Sequence, residues 1–326
     1  MTIGMVGMTG VPTVESVLQG LMVNGTYVLP AGGNVFFVRG DGTTPKYYSD
    51  LWNRMGAAEM FGGLYASVAT ALGQCVAGRG DRILVLPNHT ENIATAAAWT
   101  LVSDVQIIGL GGESNRPTFT WTTATSTILM NAAGVTFANL NLNFCPAAGG
   151  GVTVTAPITI SAAGNSIVGG KICVSTDTTT LCTIGITTTA GATDLTIAVP
   201  RVYGATAGTP TTCMQFVGAS RLNLRNMTIS AATSAVGVGV IRFLTTASTD
   251  IQVYDCVFRN NLANSTAAVT GMAGVTGEAD FVTMKVNSGG ASAWGTVASM
   301  CFGPNVTACN TDGQRAAVFG TGSTLA

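Results

Sequence analysis

His89 and Glu91, in the stretch GDRILVLPNHTENI (residues 80–93), are the residues of this chain best suited by type to acid/base chemistry. An imidazole beside a carboxylate can exchange a proton near neutral pH, which is what a general acid or base must do. His89 is the only histidine among 326 residues. A nucleophilic triad also needs a serine or cysteine held against that ring, and the neighbouring sequence supplies none. Paired carboxylates offer a second chemistry, since two of them flanking a groove can hydrolyse a glycosidic bond. Asp250 with Asp255, and Glu278 with Asp280, are the pairs to test for that role. Aromatic platforms for a sugar would have to come from Trp99, Trp121 and a few tyrosines.

Other motifs have simpler explanations. GLGGES (109–114) looks like a dinucleotide fingerprint, but NRPTFTW follows it, and Pro117 within a β-rich run excludes the helix that would hold a pyrophosphate. Its glycines are expected to form a tight corner. Arg-Gly-Asp occurs at 39–41 and at 79–81, and an adhesion role would need an exposed loop. The Asn-x-Ser/Thr triplets at Asn24, Asn88, Asn226, Asn264 and Asn305 are what a threonine-rich chain produces by chance. With one histidine and no metal-spaced His/Cys cluster, neither a metal nor another cofactor is expected. The expected sets of catalytic, cofactor-binding and metal residues are therefore empty.

The elements that would position these residues repeat. SDVQIIGL (103–110), AGVTFANL (133–140), AAGNSIVGGKI (162–172), TDLTIAV (193–199), SRLNLRNMTI (220–229), TDIQVYDCVF (249–258) and ADFVTMKV (279–286) align. The residues that precede the strands are Asp104, Gly134, Gly164, Asp194, Arg221, Asp250 and Asp280, spaced 30, 30, 30, 27, 29 and 30 apart. Asp and Gly tolerate turn conformations that bulky side chains resist, and Arg221 is the exception. Apolar residues then alternate, as in Val105 and Ile107 or Ile251 and Val253, which is the pattern of a strand with one buried face. Further strands such as TSTILM, APITIS and TTCMQFV lie between them. Strand and turn at a fixed period predict an all-β fold, a right-handed parallel β-helix with coils of about 30 residues.

An open coil end exposes unpaired backbone, so a solenoid needs caps. The stretch 62–82 predicts a capping helix with Leu64, Val68, Leu72, Cys75 and Val76 on one face. The expected organisation is an N-terminal arm over 1–33, a strand and capping helix over 34–80, the β-helix over 81–290 and a C-terminal cap or interaction segment over 291–326.

Composition points toward assembly. Charged residues are 9% of the chain and the net charge is -1, while glycine alone contributes 42 residues. Ordinary soluble domains carry roughly 25% charge, so this surface lacks the repulsion that keeps monomers apart. Coverage by copies of itself or by other subunits is the expectation. No basic cluster offers a footprint for nucleic acid or an anionic membrane, and no apolar run is long enough to span one. No signal peptide is expected either. Among the eight cysteines, Cys173, Cys182, Cys213 and Cys256 lie in apolar runs and read as buried thiols. Cys301 and Cys309 could pair.

The segments NVFFV, GDRILVLPNHTENI and VQIIGLGGESNRPTFTW together resemble β-helical structural proteins of tailed bacteriophages. In that family a GD-x-I-x-V-x-P-G-H-x-E strand and turn leads into an I-G-L-G-x-x-x-x-R-P-T coil. The resemblance covers about residues 34–123, and Asn88 stands where the family usually has glycine. It implies a structural place for His89 and Glu91 and a non-enzymatic virion component, assembled in the host cytoplasm as a homotrimer. The expected role is capsid decoration or cement, bound to the major capsid protein or other virion subunits. A tail-associated receptor-binding protein or glycan depolymerase, and a self-assembling surface filament, are the alternatives.

Overall fold

The computed structural model describes residues 22–23, 26–27, 33–39, 63–145, 151–177, 179–205, 209–244, 246, 248–271, 274–287, 292–295, 299–309 and 317–319. Its strands stack in parallel as a β-solenoid of about 8 turns, the parallel β-helix expected from the period. Each full coil contributes three strands. Val35–Val38, Arg82–Val85, Gln106–Gly109 and Thr136–Ala138 begin the first face. Thr90–Ile93, Thr118–Trp121, Asn141–Asn143, Lys171–Ser175 and Arg201–Gly204 build the second. Ile128–Met130, Ile158–Ile160, Ile184–Thr188 and Thr212–Phe216 build the third. In later coils the long strands Ser220–Ala231, Thr249–Asn260 and Thr276–Lys285 run through both the first and second faces and join them in one sheet.

Alternation produces the core. Ile83, Ile107, Phe137, Ile167, Ile197 and Leu224 stack in one buried column behind the first face. Phe119, Leu142, Ile172, Val202, Ile229 and Phe258 do so behind the second. Each residue sits about 4.8 Å above its partner, so every buried side chain packs on the same position of the coils on either side. Trp121 and Phe144 meet edge to face with ring centres 4.9 Å apart.

The residue before each first-face strand turns left-handed. φ is 62° at Asp104, 70° at Gly134, 71° at Gly164, 53° at Asp194, 51° at Arg221 and 54° at Asp250. Arg221, the exception by type, reaches back one coil and donates two hydrogen bonds to Asp194, at 2.5 and 2.7 Å.

A second left-handed ladder lies five residues further on and was not anticipated. It comprises Asn139, Gly169, Asn226, Asp255 and Phe281, with φ between 52° and 67°. This corner lets one strand bend from the first face to the second. Asn, Asp or Gly five residues after the first ladder was the available signal.

Asp280 does not belong to the first ladder. Gln106 stacks through Thr136, Ser166, Thr196, Asn223, Gln252, Glu278 and Cys301, so the steps are 30, 30, 30, 27, 29, 26 and 23. The coils shorten, and Asp280 falls beside Tyr254. A fixed step of 30 puts Phe281 inward, whereas Val282 and Met284 are buried and the Phe281 side chain is 58% exposed. Shortening also explains why the repeat fades near residue 290. Ser292–Gly295, Ser299–Phe302, Thr307–Cys309 and Ala317–Phe319 continue the stacking beyond it.

The capping helix is a single short segment, Val68–Leu72, rather than the long helix expected over 62–82. Ser67 caps its start by accepting a hydrogen bond from the Thr70 N–H, and Gly73 ends it. Gly63–Tyr65 is instead a strand on Val35–Val38, opposite to the side taken by Arg82–Val85. An edge strand satisfies a full row of backbone groups, which outweighs the propensity of so short a helix. Val68, Ala71 and Leu72 are buried, but Val76 is 50% exposed. Of the expected arm, Met22–Val23 pairs antiparallel with Thr26–Tyr27, and nearly all the rest lies outside the described residues.

Candidate functional site

His89 and Glu91 are brought together in a part-buried knot. Pro87 ends the strand, Asn88 turns left-handed with φ 63°, and His89 points inward against Phe119. His89 Nε2 lies 3.1 Å from Glu91 Oε2, and the same oxygen accepts a hydrogen bond from the Val68 N–H at 2.9 Å. Glu91 Oε1 accepts the Trp99 indole N–H at 3.2 Å. Both oxygens are therefore engaged, and the carboxylate ties three separate segments of chain. The His89 side chain is fully buried, and that of Glu91 is 14% exposed.

In the Arg-Gly-Asp triplet at 79–81 Gly80 is exposed and Arg79 partly so, but the Asp81 carboxylate is turned inward. Asp81 is 0% exposed and accepts hydrogen bonds from Asn34 N–H, Val76 N–H and the Arg79 guanidinium, all at 2.6–2.8 Å. Burial pushes its carboxyl up, but these hydrogen bonds, that of Arg79 foremost, outweigh it and hold the carboxyl below its ordinary value. Of the other triplet only Arg39 is among the described residues. GLGGES forms a corner with Gly111 at φ 108° and the Gly112 N–H on Asn115 Oδ1, followed by a strand. Three of the Asn-x-Ser/Thr asparagines, Asn88, Asn226 and Asn264, occupy left-handed turns, which explains asparagine there without a glycan.

Asp250 and Asp255 fall on different corners, whereas Glu278 and Asp280 stay on one face. Asp250 stands on the first corner ladder and Asp255 on the second. Glu278 and Asp280 are alternate residues of one strand, and both point outward. Glu278 accepts the Tyr254 hydroxyl, and Asp280 accepts the Phe281 and Asn305 N–H groups. Trp99 and Trp121 are buried in the core and offer no platform. All eight cysteines are free, Cys301 and Cys309 included.

The second face carries what the motif search missed. Asn141, Lys171, Arg201 and Thr228 form one outward column, and Asn143, Cys173, Tyr203, Ser230, Arg259 and Lys285 form the next. A depression of about 440 Å³ is lined by Asn141, Asn143, Lys171, Cys173 and Tyr203 among others, and one of about 540 Å³ adjoins it across Tyr203 and Gly204. The Arg201 guanidinium sits 4.8 Å from the centre of the Tyr203 ring. The strands of this face from Thr118 onward contain Lys171, Arg201, Arg259 and Lys285 and no Asp or Glu. The spacing of 30 that joins residues 141, 171 and 201 was legible in the sequence. Only stacking shows that they share a face.

On the first face the later coils carry Asp250, Asp255, Glu278 and Asp280 against Arg225 and the Asp194–Arg221 pair. Three of the four cations of the second face share a coil with a first-face carboxylate, and Lys171 does not. Arg201 goes with Asp194, Arg259 with Asp250, and Lys285 with Glu278 and Asp280. The third face presents Leu129, Thr159, Thr187, Gln215, Arg242 and Thr270 in one column.

The architecture defines the class, a parallel β-helix with a flank of basic residues and a flank rich in carboxylates. Comparison of the chain with protein-family models, with curated proteins and with solved structures gives no match.

Proposed function

We propose that this chain is a non-enzymatic structural subunit of a virus particle, a capsid decoration or cement protein that acts by covering area rather than by chemistry. It assembles as a homotrimer, located in the virion, and binds the major capsid protein or neighbouring subunits. The observation that carries the reading is the division of charge between two flanks at matched heights. In a ring of three parallel rods each copy offers one flank to one neighbour and the other flank to the next, so interfaces are heterologous and close on themselves. Lys285 of one copy then faces the Glu278 and Asp280 level of the next. Low overall charge and the exposed, left-handed Phe281 support it, because backbone strain persists where surrounding structure or function holds it.

Two outcomes follow. Lys285→Glu sets like charges against each other and weakens the trimer on the order of tenfold, read by sedimentation against concentration. Adding Glu278→Lys restores the attraction, and salt weakens the unmodified trimer. A monomer at every concentration would overturn this part. For the role itself, a reconstruction of the particle is expected to place short rods over the capsid lattice. Rods confined to the tail would overturn it.

The groove of Lys171, Arg201 and Tyr203 favours a second reading, a tail-associated receptor-binding protein that takes an acidic glycan. The same reconstruction separates the two.

A further inference from the structure

The groove on the second face has a thiol at its floor. Cys173 lines it together with Lys171, Tyr203 and Asn143. Directly behind it, one coil earlier, the Cys145 sulfur lies 3.7 Å from the Cys173 sulfur. Cys145 is fully buried and also lies 3.5 Å from Asn143 Oδ1. Stacking explains the approach. Asn143 is the parallel partner of Cys173, and the Phe144 N–H donates to the Cys173 carbonyl at 2.9 Å, so the chain at 143–145 is clamped against it. Closure to a disulfide needs the sulfurs to come to about 2 Å.

We propose that Cys173 and Cys145 form a two-thiol modification site for small disulfides of the oxidised glutathione class, with Cys173 as the attacking sulfur and Cys145 as the resolving one. The Cys173 thiolate attacks one sulfur of the small disulfide. A bond forms between Cys173 and that sulfur, and the other half leaves as a thiolate. Cys145 then gives up its proton to the solvent-borne leaving thiolate and attacks the Cys173 sulfur, which expels the second half. Two protein thiols are oxidised, one small disulfide is reduced to two thiols, and adjacent coils become stapled. The inference does not rest on the proposed function.

The surroundings assign the roles. The groups facing Cys173 are Cys145 from the coil before, Tyr203 from the coil after, with Arg201 over its ring, and Lys171 from its own strand. The hydrogen bond between the two sulfurs holds the Cys173 thiol below its ordinary value against the opposing effect of burial, and Tyr203 and Lys171 add to it. The same hydrogen bond, with burial and the neighbouring Cys182, pushes Cys145 up. Cys173 lines the groove and Cys145 is fully buried behind it, which is the order that attack and resolution require.

The test is to treat the full chain with oxidised glutathione at pH 7, quench with an alkylating agent under denaturing conditions, and map the peptides. The expected result is a Cys145–Cys173 crosslink and the loss of two of the eight thiols. Cys145→Ser should stop the reaction at the mixed disulfide on Cys173, and Cys173→Ser should leave Cys145 unreacted. Tyr203→Phe, which keeps the ring, should slow the first step several-fold. In the unmodified chain the Cys173 alkylation rate should reach half its maximum below the ordinary thiol value of about 8.5. Adducts at Cys301 or Cys309 alone, with Cys145 and Cys173 recovered as thiols, would overturn the proposal whether or not the variants fold.

Discussion

Replacing Trp121 by alanine is expected to cost about 3–5 kcal/mol, the loss typical of deleting a large buried aromatic. A cost of that size is a large part of a domain's total stability of roughly 5–15 kcal/mol. Trp121 is fully buried, packs edge-on against Phe144 and donates its indole N–H to the Pro157 carbonyl at 3.0 Å. That carbonyl belongs to the next coil, so the substitution removes packing and also a bond between coils. Trp121→Phe separates the two effects. It keeps most of the buried area and removes only the indole hydrogen bond, since the carbonyl still accepts the Ile128 N–H at 2.8 Å, at a cost of about 0.5–1.5 kcal/mol. Urea unfolding followed by circular dichroism reads both. An alanine variant within 1 kcal/mol of the unmodified chain would show that coils pack independently of this residue.

The second large effect is at Asp81. Asp81→Ala leaves the Asn34 and Val76 N–H groups without their acceptor and releases Arg79, a loss of about 2–4 kcal/mol at pH 7. The position also carries a pH signature. The folded-state carboxyl lies below its ordinary value, so folding favours the ionised form. Its contribution is fully present above the unfolded value of about 3.9 and disappears as pH falls through the lower folded value. Acidification below about pH 4 should therefore narrow the gap in stability between the two proteins. A gap that stays constant from pH 7 to pH 2 would mean that Asp81 is not held as a carboxylate. Because Asp81 binds the strand beginning at Val35 to the turn after the helix, the variant should lose the N-terminal coils first.

The legible parts of this protein were those set by a few consecutive residues. Asp104, Gly134, Gly164, Asp194 and Asp250 announce left-handed turns through their own backbone preferences. Ile107, Phe137 and Ile167 announce a buried face through alternation. His89 and Glu91 follow a left-handed turn at Asn88, as the local sequence suggested, and there they hydrogen-bond to each other. Three expectations went astray for physical reasons. The helix expected over 62–82 was judged by apolar spacing alone, but Gly63–Tyr65 gains more from pairing with an open strand edge. Asp280 was aligned by a constant step, but the coil before it is 26 residues long, and Phe281 takes the left-handed corner that Asn226 and Asp255 hold in earlier coils. The loss of repeat near residue 290 came from the same shortening.

Sequence alone determined that the chain winds into a parallel solenoid, because turn conformation and alternation act within a few residues and repeat too regularly to be accidental. Tertiary structure alone decided which side chains meet. Glu91 joins the helix, His89 and Trp99, Asp81 joins Asn34 and Val76, and Cys145 lies behind Cys173, across separations of 2 to 47 residues. Those contacts depend on coil lengths that vary from turn to turn, and a change of a few residues in one loop moves a side chain to another position along its face. Local preferences carry no record of that sum, which only the stacked coils express.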